Sequence, residues 1–258
     1  MGLPQASFCG FIAAITFTLC ASPLAHADVV QVAVAANFAA PLKALASTFE
    51  KDTGHTVSLS SGGTAKLYAQ IKNGAPFDVF LSADNETPQR LQREGHGVAG
   101  TGFTYAVGRL ALWSPNASLV DAQGDILQSG NFSKIALASP KVAPYGEAAV
   151  QTLRKLGLLN ALQPKFVVGE SIGQAFSFVA TGNAEIGFVA LSQVMENGKL
   201  KSGSMWLVPS ALHDALVQDA VLLMRAKTSP SALAFLAYLK TDAARSTIRS
   251  FGYETQAL

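Results

Sequence analysis

The feature that most constrains this chain is a repeated switch between two apolar periods. Val30, Val32 and Val34 alternate with Gln31 and Ala33, the spacing of a strand, and Leu42, Leu45, Ala46 and Phe49 then recur at helical spacing. Pro41 suits the first turn of that helix. Gly54 suits its end, because glycine accepts the left-handed conformation that closes a helix. The same grammar predicts a strand at 56–60, a helix over 64–73 closed by Gly74, and a strand at 78–81. An extended stretch over 103–113 leads into a second series: strand 135–137, helix 146–156 stopped by Gly157, strand 166–168, helix 173–181 stopped by Gly182, strand 186–190. A strand at 220–224 and helices over 230–240 and 242–250 complete it. Such alternation implies an α/β fold of mostly parallel sheets with helices on their faces, since a helical crossover is what joins parallel neighbours. The expected division is two lobes, one from 28–106 with 219–258 and the other from 107–218, joined by extended crossings near residues 105 and 218.

Composition narrows the function. With 49% hydrophobic residues the chain carries enough apolar side chain for a packed core, which excludes a disordered one. A net charge of +2 excludes a surface built to neutralise nucleic-acid phosphates. Residues 1–27 contain no Asp, Glu, Lys or Arg. Positions 11–21 are almost wholly apolar, Pro23 breaks the run, and Ala25-His26-Ala27 places small residues before a cut. This reads as a secretory signal peptide cleaved after Ala27, since a membrane-spanning helix needs about 20 apolar residues. Cys9 and Cys20 both fall inside it, so the exported chain would have no disulfide, no thiol chemistry and no Cys-ligated metal. Phe17-Thr18-Leu19-Cys20 lacks the small residues that precede a lipid-modified cysteine. A soluble periplasmic protein is the expectation, and with no heptad seam in the sequence, a monomer.

Ligand sites of open α/β sheets lie at the carboxyl ends of strands. Four strand-to-helix junctions share one character: Ala35-Ala36-Asn37-Phe38, Ser60-Ser61-Gly62-Gly63-Thr64-Ala65, Ala143-Pro144-Tyr145-Gly146 and Gly169-Glu170-Ser171-Ile172-Gly173. Small residues let backbone approach a ligand closely, and helix N-termini leave N–H groups without partners, which with the helix dipole favours an anion. Lys, Arg and His are absent from all four segments; Glu170 is their one carboxylate. Uncharged donors of this kind suit a small, fully ionised oxyanion and serve a metal cation poorly. Ordinary helix capping by Asn37, Thr64 and Ser171 accounts for any one junction alone.

Over 32–253 the chain resembles the periplasmic molybdate-binding proteins, the substrate-capturing components of molybdate ABC importers. The resemblance rests on Val34-Ala35-Ala36-Asn37-Phe38, on Ser60-Ser61-Gly62 followed by Leu67-Tyr68-Ala69-Gln70-Ile71, and most specifically on Gly74-Ala75-Pro76-Phe77-Asp78-Val79-Phe80-Leu81-Ser82-Ala83-Asp84. It continues through Ala143-Pro144-Tyr145-Gly146, Gly187-Phe188-Val189-Ala190 and Phe251-Gly252-Tyr253. It implies a two-lobed solute-binding fold, no cofactor and no catalysis. The implied ligand is molybdate, with tungstate beside it, held in the cleft and passed to a membrane ABC permease. The oxyanion would be held by Asn37 through side chain and backbone, by the Thr64 hydroxyl, and by the backbone N–H groups of Tyr145 and Ile172. These would touch the oxygens, with no direct ligand to the molybdenum. Two positions depart from the family: Ala190 stands where some members have a Tyr that reaches the anion, and Ala36 where others have Thr.

Competing readings stay open at this point. Glu170 would be the acceptor that a protonated phosphate needs, which keeps phosphate and sulfate as alternative ligands. Gly169-Glu170-Ser171-Ile172-Gly173 also matches G-x-S-x-G between a strand and a helix, the setting of a serine esterase. His213 is the sole His after Ser171, and only Glu185 or Glu196 lies between them as an acid. His55 and His96 read as exposed turn residues, Lys66 and Arg109 as surface charge, and Trp113 and Trp206 as structural.

Overall fold

The computed structural model describes residues 1–2 and 28–255. The expected signal peptide, its cut after Ala27, and both cysteines lie outside the described residues. Strand β1 (Val29–Ala35) turns through one short 3-10 segment, Ala36–Phe38, into α1 (Ala39–Thr53). Gly54 ends α1 at φ 75°, the left-handed cap that its sequence position predicts. Next come β2 (Thr56–Gly62), α2 (Thr64–Lys72), β3 (Val79–Leu81), α3 (Glu86–Arg93) and β4 (Phe103–Gly108). After Arg109 follow β5 (Leu110–Ser114), α4 (Ile126–Ser129), β6 (Ile135–Ala138), α5 (Pro144–Lys155), α6 (Leu159–Leu162), β7 (Phe166–Gly169), α7 (Ile172–Ala180) and β8 (Ile186–Ala190). The remainder is α8 (Leu191–Val194), a small hairpin of β9 (Met195–Glu196) and β10 (Lys199–Leu200), β11 (Ser204–Leu207), β12 (Leu216–Leu222), α9 (Pro230–Leu239) and α10 (Asp242–Ser250).

Two five-stranded sheets organise these elements, in the orders β2-β1-β3-β12-β4 and β11-β5-β8-β6-β7. In the first, β12 runs antiparallel to both of its neighbours and the other strands share one direction. In the second, β5 is the reversed strand. The mostly parallel α/β sheets expected from the alternation are therefore present. Each carries one reversed strand, and both reversed strands lie where the chain passes from one sheet to the other.

The valines of β1 show why these residues make these sheets. Val30, Val32 and Val34 pack with Leu42, Leu45 and Phe49 of α1 and Phe235 of α9, all fully buried. Ala33, on the opposite face, meets Leu67 and Ile71 of α2 with Phe80 and Leu91. Both faces are covered, as a parallel sheet requires, and each fully buried Leu, Val or Phe contributes about 1.5–3 kcal/mol. The second sheet repeats the arrangement. Leu110, Leu112 and Leu137 lie against Tyr145, Ala149 and Leu153 of α5, and Ala111, Ala136 and Val189 against Val179 of α7.

Three local expectations change. The stretch over 103–113 is two strands, split at Arg109 and assigned to different sheets. Strand β12 begins at Leu216, earlier than expected, with a register shift between Gln218 and Asp219. Helix α3 was not expected because only Pro88 and Leu91 of its residues are buried, too few to set a period; the Asp84 carboxylate starts it by accepting the Thr87 N–H at 2.8 Å.

Candidate functional site

Four junctions, two from each sheet, meet at the carboxyl ends of β1, β2, β6 and β7. Ala35 ends β1 and Ala36 and Asn37 follow it, Gly62 ends β2 and passes through Gly63 to Thr64 at the start of α2, Ala143, Pro144 and Tyr145 open α5, and Ser171 and Ile172 open α7. With Ala83 they line one hollow. Asn37, Thr64, Tyr145 and Ile172 all belong to it. The hollow is small. Among the described residues no Lys, Arg, Asp, Glu or His lines it.

Its polarity comes from donors. Helices α2, α5 and α7 start at its wall, and the first N–H groups of a helix have no intrahelical partner. Their positive dipole ends converge on the same space. Pro144 takes the first position of α5, where a missing N–H costs nothing. Thr64 Oγ1 accepts the Ala83 N–H at 3.3 Å, so its own proton is left to give. Ser171 caps α7 by accepting the Gln174 N–H at 3.2 Å, and the Gln193 amide donates to the Ile172 carbonyl at 3.3 Å. Glycines permit the close fit: a Cβ on Gly63 would lie 3.3 Å from that of Ser171.

Behind the hollow lies a buried polar cluster that local sequence reading did not find. The Asn37 amide nitrogen donates to Gln218 Oε1 at 2.8 Å and to the Tyr253 hydroxyl at 2.9 Å. Ser192 and Tyr253 both donate to the Asn37 carbonyl, at 2.8 and 3.0 Å. Gln218 Nε2 donates to the Tyr145 hydroxyl at 3.0 Å, and the Tyr105 hydroxyl donates to Gln218 Oε1 and to the Ser82 carbonyl. All six side chains are buried, Gln218 completely. Burial pushes the Tyr145 and Tyr105 hydroxyls well above the usual tyrosine range and Tyr253 up to about 12, so they stay neutral donors and acceptors. Gln218, which with Asp219 breaks the otherwise apolar run 216–223, is the sequence signal that marks the cluster.

The sequence over 30–254 matches the model of the bacterial extracellular solute-binding proteins. A molybdate-binding protein, ModA, of Azotobacter vinelandii is 56% identical over 232 residues, 90% of this chain and 92% of that one. ModA of Rhodobacter capsulatus is 48% identical over 236 residues, 92% of each. The solved structure of the Azotobacter vinelandii periplasmic molybdate-binding protein superposes with a TM-score of 0.85 at 41% identity, covering 88% of this chain and all of that one. The chain belongs to the bacterial extracellular solute-binding proteins. The family resemblance carried by its motifs is thereby borne out.

In this solute-binding protein the other candidates take structural places. The esterase reading fails: Ser171 Oγ is engaged in capping, His213 Nδ1 sits 2.7 Å from the Asp214 carbonyl, and Glu185 accepts the N–H groups of Ser133 and Lys134. Glu170 is exposed and does not line the hollow, so it gives a protonated phosphate no acceptor there. Ala190 is buried at the end of β8, outside the hollow, and its N–H donates to Gln193. His55 is half-buried, stacked on Phe49, and accepts the Asp28 N–H. Arg109 bonds Glu254 at 2.7 Å, and Trp113 donates to the Ser202 carbonyl. Among the described residues no cluster of three His, Cys, Asp or Glu is placed to hold a metal, and no helix is long and apolar enough to cross a membrane.

A wider groove of about 450 Å³ opens outside the hollow and shares Thr64, Ala83, Ala143 and Pro144 with it. It carries the charges the hollow lacks, including Asp84, Glu86, Arg90, Lys141, Glu147 and Asp214. Burial raises the Asp84 carboxyl above its ordinary value, against the hydrogen bonds from Thr87 and Ser82 that favour its charged form.

Proposed function

We propose that this protein captures molybdate, and tungstate with it, in the hollow between its two sheets and delivers it to a membrane ABC permease. The observation that carries this reading is the hollow itself: helix starts and hydroxyls from both sheets converge on a space lined by no charged side chain. A fully ionised tetrahedral oxyanion accepts at every oxygen and needs no acceptor from the wall. Charge-assisted hydrogen bonds to it are about twice as strong as neutral ones. Sulfate is selected against by size, because donors set for a larger tetrahedron fall short of a smaller one, and each buried donor left unpaired costs about 1–3 kcal/mol. The two close relatives named as molybdate-binding support this choice.

In this reading residues 28–106 with 219–258 and residues 107–218 act as two lobes that close over the anion, with Asn37 and Thr64 on one and Tyr145 and Ile172 on the other. The protein works as an exported monomer, its leader removed after Ala27. The anion is cargo, not a cofactor.

The test is a thermal-shift panel of molybdate, tungstate, sulfate, phosphate and chromate on the exported chain. Molybdate and tungstate are expected to raise the melting temperature, by mass action, to the extent of about 2.7 kcal/mol at a hundred times the dissociation constant. A larger shift with sulfate or phosphate would reassign the ligand, and no shift with any of them would end the reading.

A further inference from the structure

We propose that Ser192 and Tyr253 are positioning residues for the anion, holding the main-chain carbonyl of Asn37 and with it the turn Ala36–Phe38 that faces the hollow. This rests on the oxyanion reading of the hollow. The need begins with Pro41. Continued back from α1, the helical ladder would pair the Asn37 carbonyl with the N–H of residue 41, four places on. Residue 41 is a proline inside α1 and has no N–H to give. Asn37 is 1% exposed, so water cannot stand in, and a carbonyl buried without a donor is costly.

Two hydroxyls from distant parts of the chain supply what Pro41 withholds. Ser192 Oγ donates to the Asn37 carbonyl at 2.8 Å, the Tyr253 hydroxyl donates to it at 3.0 Å, and the two hydroxyl oxygens lie 3.0 Å apart. Both side chains are buried. Neither lines the hollow, so they act on the anion through Asn37, which does. In a helical turn the carbonyls point along the chain and the N–H groups back toward its start. Gripped by its carbonyl, the turn keeps its N–H end toward the hollow that Ala35, Ala36 and Asn37 line. The two donors come from different halves. Tyr253 lies after α10 and packs its ring edge-on against Phe38 in the first sheet's core. Ser192 belongs to α8, whose Leu191 and Val194 pack with Ala111 and Val189 of the second sheet. Gly252 lets the halves come this close, since a Cβ there would lie 2.7 Å from Leu191 Cδ2. The second half thus holds the anion-facing turn of the first.

The test measures molybdate binding by calorimetry, and melting without ligand, on the full exported chain. Ser192→Ala and Tyr253→Phe each leave the carbonyl one donor and are expected to weaken binding about threefold; the double variant leaves it none and is expected to lose about thirtyfold or more. Pro41→Ala supplies an N–H at residue 41 and is expected to return the double variant to within about threefold of wild type. A hydroxyl pair that only stabilised the fold would lower the melting temperature without changing affinity, and no substitution at 41 would rescue binding. Wild-type affinity in the double variant would overturn this inference alone, as would a loss that Pro41→Ala leaves untouched. Should the double variant not fold, Ser192→Ala with and without Pro41→Ala is judged by the same two criteria. No binding heat in the wild type would take down the functional reading and this inference with it.

Discussion

Ala36 and Gly173 meet where the two sheets approach each other, so closely that a Cβ added to Gly173 would lie 2.9 Å from the Ala36 Cβ. Ala36 follows β1 and Gly173 is the second residue of α7, so the contact joins the first sheet's half to the second's beside the hollow. Gly173→Ala is therefore expected to hold the halves slightly apart. Molybdate affinity should fall about tenfold, the equivalent of losing one well-made hydrogen bond to the anion, while the unliganded melting temperature changes little. Ala36→Gly in the same chain should restore much of the loss. Calorimetry on the two single variants and the double decides it: strictly additive losses would mean that the two residues do not act through this contact.

Asn37→Ala should weaken molybdate binding far more than Tyr145→Phe. The first removes the side-chain amide at the hollow; the second keeps the backbone N–H at the start of α5 and removes only the hydroxyl bonded to Gln218. Titration of both variants showing the reverse order would remove Tyr145 from the backbone donors.

Thr64→Val keeps the shape of the side chain and deletes its hydroxyl. The loss expected is about 1–3 kcal/mol of binding, because a buried oxyanion oxygen is left without its partner. Thr64→Ser should retain most of the affinity. The Ala83 N–H loses its acceptor in the valine variant as well, so a fall in unliganded stability should accompany the binding loss. Dissociation constants and melting curves measured together separate the two effects.

Acid should unfold the protein partly through Glu94. Hydrogen bonds from the Tyr68 hydroxyl and the Arg90 guanidinium, with Lys72 alongside, lower its carboxyl from 4.5 to about 2. A depressed folded value means that the stability it contributes is complete above pH 4.5 and is lost as the pH falls toward 2. Glu94→Gln should flatten the fall of melting temperature across that window and leave the neutral-pH side of the profile parallel to wild type. A variant profile with the wild-type slope below pH 4.5 would show that the cluster contributes nothing to acid sensitivity.

Much of the fold was legible because it is written in local periods. The span Ile186–Ala190 and the helix Asp242–Ser250 match their sequence expectations residue for residue, since apolar spacing and a closing turn define each of them. The helix starts around the hollow were legible for the same reason: Thr64 after two glycines, Tyr145 after Pro144 and Ile172 after Ser171 are local signals of where N–H groups go unpaired. Helix α3 was not, because its hold on the core is two side chains and a carboxylate cap.

By itself, then, the sequence determined the alternation of strands and helices and the uncharged small residues at the junctions, both of which depend on neighbours within a turn or a pleat. Tertiary structure alone decided that 103–113 divides between two sheets at Arg109, that β12 runs against the strands on either side of it, and that Gln218 holds Asn37 across 181 residues of chain. A hydrogen bond between residues so far apart leaves no period in either segment. Its partners are chosen only when burial removes water from both and each must take whatever donor or acceptor the packed halves bring to it.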